Sequence, residues 1–374
     1  MFENIDIVID TGFGDCGKGL MTGYLSGMRS NPIVIRFSGG QQAGHTVIKD
    51  NIKHIFSNFG SGTLNRVPSF FDKNCTIYPI GLVNEYLILN EKGFNPTLYI
   101  HPLAMITTPY DVAFNRITEK KNGHGSCGVG VAATMKRTIN TGYKLHAVDF
   151  NNRDILFQKL FQIKEYYSKL ASELNLKGFH IELSKWESNY FECVEFIIKN
   201  KIFQIEDYNI LYNFNNLIFE GSQGVLLDMD HGIFPNVTYG NTTCKNAIEI
   251  CKYFKDIKSI NKFYVTRCYQ TRHGNGWMSN QKEIKLINNE EEINITHEYQ
   301  GNFKIGEIDY NLINHSILVD SFYNDNYEVN NNLLVTCLDQ REDFEFDYDS
   351  INNIKDFEIY NSCSPISEKI FIKN

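Results

Sequence analysis

The chain has no long run of lysines and arginines, no CxxC pair, and no apolar stretch near the roughly 18 residues that span a bilayer. The first absence, with a formal net charge of -8, excludes a nonspecific binder of nucleic-acid polymers. The second, with nine scattered cysteines, argues against a zinc site or a disulfide framework and for reduced thiols in a cytoplasm-like compartment. The third leaves no membrane-spanning helix to expect. The opening "MFENIDIVID" has no basic start followed by a long apolar core, so no secretory leader is expected and a cytoplasmic location is. Internal repeats and low-complexity linkers are also missing, and residues 1–374 are read as one domain with insertions.

What is present is a recurring unit. Hydrophobic residues make up 42% of the chain, ample for a packed core. Short β-rich runs end again and again in polar, mostly glycine-bearing loops: "IDIVID" in "TGFGDCGKG", "PIVIRF" in "SGGQQAGHT", "NLIFE" in "GSQG". Two more, "NKFYVT" and "NLLVT", lead into "RCYQTRHGNG" and "CLDQ". Helical spacing fills the intervals, most clearly over 153–176 and again near 189–200, 244–255 and 309–324. Strands alternating with helices predict an α/β fold on a mostly parallel central sheet, where sites form beyond the carboxyl ends of the strands. The loops should therefore converge on one site. The polar segment 280–300 reads as a solvated hairpin or surface excursion.

The first loop nearly spells a nucleotide-binding motif. From Gly12, four residues lead to Gly17 and Lys18, the Walker A spacing, but Gly19 stands where a Ser or Thr would hold Mg²⁺. Gly14, Cys16, Gly17, Lys18 and Gly19 form a P-loop-like phosphate cradle, against the alternative of a plain tight turn. Asp15 is out of place beside phosphates unless it binds a metal, removes a proton, or both; the inert alternative is a helix cap. In "SGGQQAGHTV", His45 at a glycine-framed strand end suits a general acid, and a turn-capping histidine is the plain alternative. The other nine histidines, His231 included, are read as structural.

Taken together, "GDCGKGL", "GGQQAGHT", "FEGSQGVLLDMDHGIFPNVTYGNTT", "VTRCYQTRHGNG", "VTCLD" and "NSCSPISEKI" resemble, in order, the motifs of the adenylosuccinate synthetase family. That resemblance implies a ligase joining L-aspartate to C6 of IMP at the expense of GTP, with Mg²⁺ as cofactor. Residue by residue it implies Asp15 as catalytic base and Mg²⁺ ligand, the Gly44 carbonyl as a second Mg²⁺ ligand, and His45 as general acid at O6. Lys18 and its glycines, with Thr46, would bind phosphates, and Asp339 and Ser364 would hold the guanine. Gln42, Cys127, Gln223 and Thr238 would hold the acceptor nucleotide, and Arg137 its phosphate across a homodimer interface.

Departures from the motifs matter for substrate. The family's arginine-rich amino-acid loop corresponds here to "EYQGNFKIGEID", where Tyr299, Gln300, Gly301 and Lys304 remain and Lys304 is the sole cation. That version is similar to phage relatives that make 2-aminoadenylosuccinate from dGMP. The retained Asp15 and the central "EGSQGVLLDMDHG" favour IMP over dGMP, with ATP as the alternative donor to GTP. A P-loop hydrolase is disfavoured by Gly19 and the second loop, and a degenerate purine-nucleotide-binding homologue stays open through the altered amino-acid loop.

Overall fold

The "IDIVID" run becomes the strand Asn4–Asp10, buried from Ile5 to Asp10 because it lies in the interior of the sheet with neighbours on both sides. The computed structural model describes residues 2–122, 127–287, 303–342 and 344–373. In spatial order its main sheet runs Phe371–Ile372, Phe357–Asn361, Glu328–Thr336, Ser259–Arg267, Asn4–Asp10, Asn216–Glu220, Pro32–Arg36, Ser69–Phe71, Leu98–Ile100 and Gln204–Ile205. Among the described residues, only the pairing of Phe371–Ile372 with its neighbour is antiparallel in this sheet. The five strands singled out by their loops occupy consecutive places, from Glu328–Thr336 to Pro32–Arg36, and all run parallel. Their loops therefore leave one edge side by side.

The strongest helical pattern becomes Arg153–Glu173, started by Asn152, whose side chain accepts from the Asp154 and Ile155 amides. Its buried stripe of Leu156, Leu160, Ile163 and Tyr167 meets Tyr190, Val194 and Ile197 of the helix Glu187–Asn200 in a core cluster beside the sheet. Helices Lys245–Cys251 and Tyr310–Ser321 fill the other two intervals. The strands Gln270–His273 and Phe303–Gly306 pair antiparallel and form the stem from which the polar 280–300 segment departs and returns. Residues 288–302 of that segment lie outside the described residues, with Tyr299, Gln300 and Gly301 among them. Among the described residues no helix is long and apolar enough to cross a membrane.

Candidate active site

The glycine loop is built around Asp10, the last residue of its strand. One Asp10 oxygen accepts the Gly12 amide at 2.8 Å; the other accepts the Cys16 amide at 3.0 Å and the Lys18 ammonium at 2.9 Å. Lys18 is consequently buried in an ion pair inside the loop. The helix Lys18–Met28 begins behind Gly17 with no side-chain cap and no acidic residue in its first turn. That leaves amide donors and a positive dipole end for an anion. Cys16 is buried and burial raises its thiol pKa well above the usual value, so it serves the loop as a backbone position.

Asp15 sits at φ 62, in the left-handed region, between Gly14 at φ 101 and Gly17 at φ 103. For a residue with a Cβ that conformation is uncommon. It is held by Arg267 at the end of the neighbouring strand, whose Nε donates to the Asp15 carbonyl at 2.6 Å. The carboxylate is 32% exposed, and the His273 Nε2 lies 3.4 Å from it. Burial pushes its pKa up, but the His273 hydrogen bond and the charges of Arg267, His273 and Lys18 outweigh this and hold it below the usual aspartate value. Asp15 is therefore ionised at neutral pH, ready to accept a proton or a cation.

In the second glycine loop, His45 opens the strand His45–Lys49 with its Nδ1 2.6 Å from Glu220 Oε1. Glu220 ends the strand Asn216–Glu220, fully buried, and also accepts from the Ser61 amide at 3.1 Å and the Ser61 hydroxyl. Burial works against its charge, but His45, Arg36 and Ser61 hold its pKa down at about 2. Burial also lowers the His45 pKa, assisted by Arg36 and Lys18 and opposed by Glu220. The pair is best described as a neutral imidazole donating Nδ1–H to a carboxylate, which leaves the Nε2 position for a ligand. His45 Nε2 is buried without a partner, as are Gln42 Oε1, Thr76 Oγ1, and Nε and Nη1 of Arg36. Buried polar atoms are normally paired, so this group around the second glycine loop has donors and acceptors that a polar ligand or water would satisfy.

Gly19 has its explanation here. A Cβ on it would lie 2.8 Å from the His45 Cβ, so the Ser or Thr of a Walker motif would drive the histidine away. The two glycine loops approach through that missing side chain. Metal-binding capacity fits the same geometry. Among the described residues no group of three or more His, Cys, Asp or Glu could cage a metal. The Asp15 carboxylate and the exposed Gly44 backbone suit a Mg²⁺ ion that takes one or two protein oxygens and completes its shell with substrate phosphates and water.

The other expected residues lie in several segments. Gln223, at φ 61, stacks its backbone on Gly14, and Gly224 approaches Gly12 so closely that a Cβ would lie 2.1 Å from the Gly12 carbonyl. Cys127 is half-buried, with a pKa raised to about 11 by burial and by the charge of Asp15 nearby. Gln42, Thr46 and Thr238 are half-buried, Thr238 holding the Leu227 carbonyl at 2.8 Å. Asp339 and Ser364 sit on adjacent loops joined by the Leu338 amide and Ser362 carbonyl. Lys304 lies opposite Arg272 across the hairpin stem.

Arg137 is a correction. It is 1% exposed, forks Asp111 with two bonds of 2.9 Å, and donates to the carbonyls of Tyr143 and Ile106. Its guanidinium is committed inside its own chain and cannot serve a partner's site. His273, whose proximity to Asp15 the sequence did not show, lies 3.4 Å from the Asp15 carboxylate. His231, by contrast, pairs with the Tyr323 hydroxyl at 2.7 Å, as a structural residue would. Glu220, Asp10, Arg267 and Arg272 were missed, although a charge at the end of a buried strand run, as in "IVID" and "LIFE", is itself a signal.

A glycine-rich loop joining the first strand of a parallel sheet to a helix, with a lysine inside it, defines a P-loop-like α/β protein. Within that class, the chain belongs to the adenylosuccinate synthetase family, whose model matches residues 7–343. Its sequence is 31% identical over 284 residues to the adenylosuccinate synthetase of Borrelia turicatae, covering 73% of this chain and 64% of that one. It is 28% identical over 285 residues to that of Borrelia duttonii, covering 72% and 62%. The matched part thus spans under two thirds of these relatives' length. Among solved structures, the fully ligated adenylosuccinate synthetase of Plasmodium falciparum superposes with TM-score 0.70 at 17% identity, covering 99% of this chain and 100% of that one. The cyanophage S-2L succinoaminodeoxyadenylate synthetase, bound to dGMP and dATP, gives TM-score 0.67 at 17% identity, covering 100% and 96%. At that identity these two show the shared fold.

Proposed function

We propose that the chain is a C–N ligase that joins L-aspartate to C6 of IMP with GTP as phosphoryl donor. The observation that carries this reading is the ionised Asp15 carboxylate, held in a left-handed turn inside a phosphate-type loop, with a buried His45 Nε2 left for a ligand on the second glycine loop. A kinase loop has no use for such a base. A 6-oxopurine does, because its ring oxygen is a poor leaving group until it is phosphorylated. Asp15 takes the N1 proton, which makes O6 nucleophilic; O6 attacks the donor's γ-phosphorus, the bond from that phosphorus to the bridging oxygen breaks, and GDP leaves. His45, oriented by Glu220, faces the charge that develops on the transferring group; the ligand's own phosphates raise its pKa and let it carry a proton there. The aspartate amine then attacks C6, the phosphate leaves, and the amine gives up a proton. Mg²⁺ held by Asp15, the Gly44 carbonyl and the donor phosphates would supply charge neutralisation.

The helix start behind Gly17 and the glycine amides hold phosphates, and Asp339 with Ser364 reads the donor base. Gln42, Cys127, Gln223 and Thr238 hold the acceptor. A homodimer and a cytoplasmic setting follow the family, with Arg137 playing no part across the interface. A second reading, dGMP as acceptor with an adenine nucleotide as donor, is favoured by the likeness to the cyanophage protein's fold. The retained Asp15 and the central motif place IMP first. A matrix of IMP, GMP and dGMP against GTP and ATP, with L-aspartate and product read by mass, tests the reading. Adenylosuccinate from IMP is expected, with phosphate release that needs both acceptor and amino acid. Hydrolysis without an acceptor, or binding without turnover, refutes it.

A further inference from the structure

The loop that carries His45 and the loop that carries Cys127 are distant in sequence, and Gln41 bridges them. Half-buried beside Gln42, it donates from Nε2 to the Val129 carbonyl at 3.2 Å. Val129 is two residues from Cys127. Its side chain packs on the cluster of Met105, Val131 and Met135, as does Tyr239, the neighbour of Thr238. The carbonyl that Gln41 holds thus belongs to a wall where the Cys127 and Thr238 segments meet. On either side of Val129 the wall is fixed to the helix Pro109–Asn122. Arg116 Nε donates to the Gly128 carbonyl at 2.9 Å, and Asn115 Oδ1 accepts the Gly130 amide at 3.1 Å. Gly128 and Gly130 take φ of 66 and 83, which lets three successive residues each turn a backbone group toward a side chain.

We propose that Gln41 is a positioning residue that sets the spacing between His45 and the bound acceptor nucleotide. The inference rests on the functional reading above. In that reading the acceptor is gripped at Cys127 and Thr238 while its O6 reacts beside His45, four residues along the chain from Gln41. The distance between those segments decides where O6 falls, and a misplacement of about 1 Å is enough to slow a reaction severely. A glutamine suits the task because its neutral tip donates to a carbonyl. A glutamate would set two acceptors against each other, and an aliphatic side chain would leave the Val129 carbonyl without this donor. Space for the amide comes from the first turn of the helix Pro79–Glu91, where a Cβ on Gly81 would lie 2.5 Å from Gln41 Oε1.

The test is steady-state kinetics of the full chain, varying IMP, GTP and L-aspartate in turn, for Gln41→Met, Gln41→Lys, Gly81→Ala and the Gln41→Met/Gly81→Ala double variant. Hydrogen exchange of the 128–131 amides, read by mass, runs in parallel. Loss of one neutral hydrogen bond should lower kcat/KM for the acceptor about 3- to 10-fold in Gln41→Met, with KM for GTP and aspartate within about twofold of wild type. Gln41→Lys, which keeps a donor, should recover part of the loss. Gly81→Ala displaces only the end of a flexible side chain, so it should copy Gln41→Met with little change in stability. The double variant should be no worse than either single one. Exchange at 128–131 should quicken in Gln41→Met and Gly81→Ala. Unchanged acceptor kinetics, equal losses for all three substrates, or additive losses in the double variant overturn the role of Gln41 while the functional reading stands. A wild type that makes no product with any acceptor overturns the functional reading. The exchange arm then decides by itself whether Gln41 holds the loop, and unchanged exchange overturns that too.

Discussion

Glu220→Gln is the most informative single substitution, because it removes one charge and almost no volume. Glu220 is fully buried among His45, Ser61 and Arg36, whose Nη1 is 4.0 Å from it. Holding its carboxyl at about 2, against 4.5 for the free side chain, is worth roughly 3 kcal/mol at about 1.4 kcal/mol per pKa unit. The folded-state pKa is depressed, so this stability is present above the unfolded value and is lost as pH falls from 4.5 toward about 2. The amide leaves Arg36 without its nearby counter-charge, and its NH2 replaces one of two oxygens that both accept, so it must face a donor, either Ser61 or His45 Nδ1–H. Urea denaturation at neutral pH should show about 3 kcal/mol less stability, and the loss of stability with acid should become shallower. Turnover should fall by about two orders of magnitude or more, since an imidazole without its carboxylate loses tautomer and orientation. Removal of the Glu220 charge also lowers the His45 pKa, so any limb of kcat/KM that needs protonated His45 should move to lower pH. A variant with wild-type turnover and an unmoved profile would refute the claim that Glu220 orients His45.

His45→Ala should lower turnover by about two to four orders of magnitude with nucleotide affinity retained, and a loss of tenfold or less in stopped assays would make it a structural residue. Gly19→Ser restores the Walker motif on paper, yet its Cβ would lie 2.8 Å from the His45 Cβ. It should cost about 1–3 kcal/mol in denaturation and reduce turnover. Arg137→Met should destabilise by about 3–5 kcal/mol, because Asp111 is left buried without a counter-charge. At a temperature where that variant stays folded, its KM for the acceptor nucleotide should match wild type; a large rise would restore Arg137 to a site.

The sheet was legible because five apolar runs each ended in a polar loop, and parallel strands carry such loops to one edge. The two glycine loops were legible from spacing alone. Glu220 and Asp10 were not, because a carboxylate ending a buried strand shows its purpose only when its partners arrive from distant segments. Arg137 misled for a related reason. In the helix Val131–Asn140 it lies on the face shared by Val131, Thr134 and Thr138, and sequence does not reveal that Asp111 waits beneath it. Gly19 seemed a defect in the motif until the close approach of His45 gave it a cause.

The central claim is that Asp15 is the base that takes the purine's N1 proton. It is tested most directly by comparing the wild type with Asp15→Asn for adenylosuccinate formed, by mass, from IMP, GTP and L-aspartate, with IMP binding followed by calorimetry. The account predicts product from the wild type, and retained IMP affinity with no product from the variant. Ligation by Asp15→Asn at a rate near that of the wild type would contradict it.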